Sequence, residues 1–390
     1  AKKFEDIGLD GLKGKSKEMN PENHRNAKGL VYAAKGMLTQ KDDRIINELP
    51  NIKVPTLIIV GENDKPFLAA ADYMEKKIKI GVSSCLIGEK VRWNGDHKQN
   101  HYVREVLAKY FEYVSVCPEM EVGMGVPRET VALYGNLENS RMISKKTQTD
   151  WTIPMKSYIK TRISSLALDN LCGYIFKNKS PSCGLGRIPV YAEFGSNKVR
   201  HGMGMFAKEF TENYPLIPTE DEGRLNDPKI RENFIVKVFS FYRLQNLLNK
   251  DFSIGGLVRF HTQQKFLLLA HSRKHYDLLG QLVAKSKSYS KKAVKENYAS
   301  TFMKAFSFKS TPKKNTDVLL HMMGFLKKLL SKSEKEDILN TIQDYRKELL
   351  PLIVPVTLIR HQVIKYDIDY LKDQVYLNPH PKELMLRNHV

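Results

Sequence analysis

Apolar and polar positions divide the chain into three stretches of different rhythm. In residues 79–224 short apolar runs alternate with longer amphipathic ones. "KIKIGVSSC", "YVSVCPE" and "CGYIFKNKSPSCG" each read as a strand running into a polar loop. "NHYVREVLAKYFE" and "MKSYIKTRISSLALDNL" have helical spacing, and "VRHGMGMFAKEFTENYP" reads as a glycine turn followed by a helix. Such alternation predicts a Rossmann-like α/β region built on a parallel sheet. From residue 225 onward the pattern changes to apolar stripes every three and four residues, as in "PKIRENFIVKVFSFYRLQNLLNK" and "DVLLHMMGFLKKLLS". This predicts an all-α C-terminal domain over 225–390. Pro351 and Pro355 in "LLPLIVPVTLIRHQ" should kink or interrupt its last long helix. "YLNPHPKELMLRN" reads as an extended tail ending in a short helix.

With 390 residues there is room for two or three cores, and 42% hydrophobic with 27% charged residues is a soluble globular composition. No apolar run approaches a membrane span, and the N-terminal "AKKFEDIGLDGLKGK" lacks the apolar centre of a signal peptide, so the expected compartment is the cytoplasm. Four scattered cysteines do not make a disulfide framework. The net charge of +20 is uneven. Residues 1–78 carry +2 and residues 79–224 carry +4, whereas 29 basic against 15 acidic residues give 225–390 a net of +14. A field of that strength attracts polyanions, nucleic acid first and anionic membrane second. A lysine-rich solvating surface is the plainer alternative.

Residues 1–78 end in "VPTLIIVGENDKPFLAAADYMEKKI", a strand, a turn and a helix. The segment resembles the late strand of α/β-hydrolases that carries the triad acid, with Asp64 in that place. No G-x-S-x-G elbow occurs in the chain, so the expectation is an inactive hydrolase-like fragment.

Cys85, Cys117 and Cys183 share one setting, each following a predicted strand. In an open parallel sheet, ligands gather outside the carboxyl ends of the strands. Three thiols 32 and 66 residues apart can therefore converge. Soft sulfur donors with no nearby histidine suit an iron–sulfur cluster with one open iron better than zinc. From the spacing alone, three unrelated core cysteines are the plainer reading. Cys172, at the edge of an apolar segment, reads as a core residue.

"VSSCLIGEKVRWNG", "VSVCPEMEVGMGVPRE", "KNKSPSCG" and the later "GMGMFA", in that order, resemble the iron–sulfur thiouracil desulfidase family over roughly 79–224. The resemblance implies a 4Fe–4S cluster held by Cys85, Cys117 and Cys183, whose open iron accepts the sulfur of a thiocarbonyl. "GGLVRFHTQQKFLLLAHS", "YRKELLPLIVPVTLIRHQ" and "YLNPHPKELMLRN" are similar to the YbgA-type helical domain. A desulfidase domain followed by this domain is the arrangement of tRNA 4-thiouridine desulfidases, which implies tRNA as partner, bound by 225–390.

Water activation beside the open iron needs a general base or acid. Glu119 is the first candidate, against a surface or helix-terminal carboxylate, and Ser180 is the second, against turn chemistry ahead of Pro181. Arg92, Asp96 and Arg128 lie in the same motifs and are candidates for contact with the base or its backbone, against closing their loops through ion pairs. Arg259, Lys265, Lys274, Lys291, Lys292, Lys313 and Lys314 are candidate tRNA contacts. His261, His271 and His275 read as polar core or RNA contacts rather than a metal set. The leading expectation is sulfur removal from 4-thiouridine in tRNA. Its rivals are a desulfidase of free thiouracil or thiouridine nucleotides, and a nucleic-acid-binding protein with a structural cluster. No membrane association and no obligate protein partner are expected.

Overall fold

The computed structural model describes residues 78–194, 199–249 and 252–389. The hydrolase-like segment, with Asp64, lies outside the described residues. Ile78–Val390 fold as one compact unit. Among the described residues no helix is long and apolar enough to cross a membrane.

One four-stranded sheet organises the first half. Strands β1 (Ile78–Ser83), β2 (Phe111–Val116), β5 (Tyr174–Phe176) and β8 (Thr219–Asp221) lie in the order β2-β1-β5-β8, all parallel. β1 is the second strand in and is buried almost throughout, as its near-continuous apolar run requires. Its Gly81 lies opposite Tyr174 in register, and a Cβ there would come within 2.1 Å of that ring. Only glycine lets the two central strands pair so closely.

The rest of the α/β region departs from simple alternation. A second sheet, β4-β3-β6-β7, is formed by β3 (Val131–Gly135), β4 (Ser140–Ser144), β6 (Ile188–Tyr191) and β7 (Val199–Gly202), with one parallel and two antiparallel pairings. Part of the expected glycine turn, "VRHG", is thus an edge strand. Its residues are exposed or half-exposed and lack an apolar period, so the local pattern did not show it. The helix expected over "NHYVREVLAKYFE" shrinks to a π turn at Tyr102–Val106 and a 3-10 turn at Leu107–Lys109. Helix α1 (Pro118–Glu121) is a single turn, α2 (Thr152–Leu166) buries Met155, Ile159, Ile163 and Leu166, and α3 (Met205–Asn213) buries Phe206 and Phe210.

The second half is helical throughout: α4 (Pro228–Asn249), α5 (Ile254–His271), α6 (Arg273–Ala284), α7 (Lys291–Ala305), α8 (Pro312–Leu326), α9 (Lys332–Arg346), α10 (Ile353–Lys365) and α11 (Asp369–Lys372). Ser253, Ser272, Ser290, Thr311 and Ser331 cap α5 to α9 through their hydroxyls, and Glu334 completes a capping box on α9. Pro351 falls in the break between α9 and α10, while Pro355 sits in the first turn of α10, where a missing N–H costs nothing. The tail has 3-10 turns at Val375–Leu377 and Lys382–Leu384. α4 joins the halves. Phe239 packs 5.8 Å from Phe111 of β2, and Val238 reaches the backbone at Gly173, where a Cβ would sit 2.8 Å away. One apolar core therefore runs from β1 through α4 into the bundle.

Candidate active site

Cys85 and Cys117 sit where a strand of the parallel sheet stops, and Cys183 lies further along the loop that leaves a third, β5. After β1 a 3-10 turn, Ser84–Ile87, buries Leu86 in the core and carries Cys85; Gly88, at φ +101°, closes it in the left-handed region. After β2, Cys117 caps α1, its carbonyl accepting from the N–H groups of Met120 and Glu121 at 3.0 and 2.9 Å. After β5 the chain folds through Ser180-Pro181-Ser182-Cys183 against the N-terminus of α3. The N–H groups of Met205 and Phe206 donate to the carbonyls of Pro181 and Ser182 at 3.0 Å. Gly204 permits this approach, since a Cβ there would lie 2.5 Å from the Ser182 carbonyl oxygen.

Because β2, β1 and β5 are neighbours, Cys85, Cys117 and Cys183 line one cavity of about 50 Å³. Ser83, Ser84, Val91, Val116, Glu119, Arg128, Lys177, Ser180 and Ser182 complete its wall. Burial pushes the Cys85 thiol up to about 12, with the Lys177 ammonium opposing, and Cys117 up to about 11. Cys183 is raised further, by burial first and then by Cys117. Cys117 thus hinders ionisation of both Cys85 and Cys183, a conflict that a bound soft cation removes as it displaces the protons. Among the described residues no three His, Cys, Asp or Glu side chains are set to grip a single ion. Three sulfurs spread around a cavity suit a group of several metal atoms. Cys172 lies apart, buried, with its thiol donating to Gln245 Oε1 at 3.0 Å.

Glu119 is held at both oxygens. Arg128 donates to Oε2 from Nη2 at 2.6 Å and from Nε at 3.2 Å, in an ion pair with both side chains largely buried. Ser182 Oγ donates to Oε1 at 2.7 Å, and Ser180 Oγ reaches it at 3.4 Å. The two hydroxyls are 2.9 Å apart. Ser182, not singled out from the sequence, is the shorter contact; the repeated serine in "SPSC" was its only signal. Arg128 also donates to the carbonyls of Val91 and Gly125 at 3.0 and 2.9 Å. Lys177 was also missed. Its ammonium pairs with Glu222 at 2.5 Å, a contact that joins the β5 loop to the end of β8. Arg92 and Asp96 do not line the cavity; the N–H of Arg92 donates to the Asp96 carbonyl at 3.0 Å, closing a turn beside it.

On the helical half, Arg259, Lys274, Lys291, Lys292 and Lys313 are exposed. Lys265 lies half-buried over the rings of Phe266 and Tyr370, at 5.3 and 5.8 Å. Lys314 is turned inward, its ammonium donating to the carbonyls of His271 and Lys309 at 2.8 and 3.1 Å. His261, His271 and His275 are buried: His261 pairs with Tyr298 OH at 3.2 Å, His271 with the Phe308 carbonyl at 2.8 Å and His275 with Ser272 Oγ at 2.8 Å.

These features describe an α/β protein with a thiol-lined pocket at its strand ends, continued by a helical bundle. Over residues 80–222 the chain belongs to the 2-thiouracil desulfurase family. Residues 265–381 match a family described as a protein of unknown function, DUF1722. The uncharacterized protein YbbK of Bacillus subtilis (strain 168) is 32% identical over 154 residues, 38% of this chain and 98% of YbbK. The uncharacterized protein YbgA of Escherichia coli (strain K12) is 26% identical over 165 residues, 42% of this chain and 98% of YbgA. Among solved structures, the [4Fe-4S]-dependent thiouracil desulfidase TudS aligns with 39% of this chain and 95% of its own, at 23% identity and a TM-score of 0.33.

Proposed function

We propose that the protein removes sulfur from thiolated uracil, with 4-thiouridine in tRNA as substrate. The convergence of Cys85, Cys117 and Cys183 on one cavity with Glu119 carries this reading. The donor set, three thiols with no imidazole, fits a 4Fe–4S cluster, which when bound supplies a Lewis-acidic iron and a sulfur acceptor. The overall change exchanges C=S for C=O: water adds, hydrogen sulfide leaves, and no electrons are transferred. The chain's own part is to move protons and to exclude bulk water. Arg128 holds Glu119 in place by two hydrogen bonds to Oε2, and Oε1, the oxygen that faces the two serines, takes a proton from the attacking water. Ser180, half-exposed at the cavity wall, donates to the ring as its electrons shift.

Support for RNA rather than a free base comes from the helical half, with its net +14 and the exposed cations Arg259, Lys274, Lys291, Lys292 and Lys313. The test is anaerobic reconstitution, followed by incubation with tRNA containing 4-thiouridine while the thiocarbonyl absorbance and the cluster's visible bands are recorded. Loss of the thiocarbonyl band, abolished by Cys85→Ala, is expected. An intact cluster with unchanged tRNA, but turnover of free thiouracil, replaces the substrate. No turnover of any thiolated base refutes the activity.

A further inference from the structure

The loop that leaves Cys85 holds an aromatic ring out in solvent. Trp93 is 46% exposed, and its indole N–H donates to no described residue. The other tryptophan, Trp151, is half-buried and donates to Ser144 Oγ at 3.2 Å. One exposed aromatic residue is ordinary on a protein surface; this one stands on a backbone tied to the wall of the cysteine cavity. The Trp93 carbonyl accepts from the N–H of Arg128 at 2.8 Å, and Arg92 is tied on either side, to Gly95 at 2.9 Å and Asp96 at 3.0 Å. Gly95 turns the chain in the left-handed region, at φ +77°. Trp93 follows Val91 by two residues, a reach of roughly 7 Å, and Val91 is part of the cavity wall. Arg128 bonds both, through its backbone N–H to Trp93 and its guanidinium to Val91. The loop also exposes Lys90 and Lys98.

A cavity of about 50 Å³ has no room for a pyrimidine and its ribose beside whatever the thiols hold. Only the thiocarbonyl end of a substrate can enter, and the heterocycle must stay at the mouth. Within a duplex or a stacked loop that atom is out of reach, so the nucleotide has to leave its stack, at a cost of a few kcal/mol. An aromatic face at the mouth offsets this cost, and the neighbouring lysines suit the phosphates on either side.

We infer that Trp93 is the stacking platform for an unpaired nucleobase of the RNA substrate at the mouth of the cysteine cavity. The inference rests on reading that cavity as the desulfuration site, but its test needs no turnover. In full-length, cluster-loaded Trp151→Phe protein, Trp93 is the sole tryptophan, and its fluorescence is followed on adding an unmodified single-stranded oligouridylate. Quenching by the single strand, and far less by the same strand annealed to its complement, is expected. Trp93→Ala should weaken binding of a labelled single strand roughly five- to hundredfold, with Trp93→Phe recovering most of it. Emission indifferent to the single strand, equal quenching by duplex, or unchanged binding by Trp93→Ala would overturn the platform. Desulfuration can succeed while Trp93 stays silent, and Trp93 can respond while turnover fails, so the two claims fail separately.

Discussion

Arg128→Met tests the site most directly, because one guanidinium ties the loop after Cys85 to α1 and to the turn that follows α1. It makes two bonds to Glu119 and one each to the carbonyls of Val91 and Gly125, with 7% of the Arg128 side chain and 15% of the Glu119 side chain exposed. Methionine keeps much of the aliphatic stem but leaves a largely buried carboxylate with two serine hydroxyls as its remaining side-chain donors. Breaking a buried pair from one side costs about 3–5 kcal/mol, because the uncompensated charge remains. Glu119→Gln keeps an oxygen acceptor but leaves the Arg128 guanidinium without its counter-charge, so it too should cost about 3–5 kcal/mol. The double variant should therefore be less destabilised than the two losses summed, with a coupling of about 1–3 kcal/mol. Urea unfolding of all four metal-free proteins, followed by tryptophan fluorescence, completes the cycle. A loss below about 1 kcal/mol for Arg128→Met, or additive losses in the double variant, would refute the clamp.

Three further expectations follow from particular contacts. Gly204→Ala drives a Cβ to 2.5 Å from the Ser182 carbonyl, a backbone collision that no rotamer relieves; iron bound per chain after anaerobic reconstitution should fall, with about 1–3 kcal/mol of stability lost. His261 and His271 are held neutral by burial, their pKa values lowered to about 4, so on acidification the unfolded chain binds protons first. Stability is thus full above the ordinary histidine value near 6.5 and is lost as pH falls from there towards 4, by up to about 3 kcal/mol for each residue; urea midpoints across this window should fall less steeply in His271→Gln. In RNA binding across a salt series, exposed Lys313→Gln should lower the salt slope by about one, whereas Lys314→Gln should leave the slope and reduce stability, because Lys314 is already committed to two carbonyls.

The sequence alone determined the division into an α/β half and a helical half, because strand and helix periods depend on side chains two to four residues apart. It also placed Cys85, Cys117 and Cys183 at strand ends, since each follows an apolar run, and it marked caps such as Ser331 with Glu334. Tertiary structure decided what depends on chain segments meeting. The second sheet joins two local antiparallel pairs, β3–β4 and β6–β7, through one parallel pairing of β3 with β6 from more than 50 residues away. Arg128 closed on Glu119 because the chain doubles back between them through Gly123 and Gly125, both at positive φ, and Ser182 rather than Ser180 became the nearer hydroxyl because α3 grips its carbonyl. Lys314 turned inward to the carbonyl that ends α5, at His271, and to the loop carbonyl of Lys309, while Lys313 next to it stayed in water. Local pattern encodes which face a residue presents; the partner it meets there depends on the packing of distant segments.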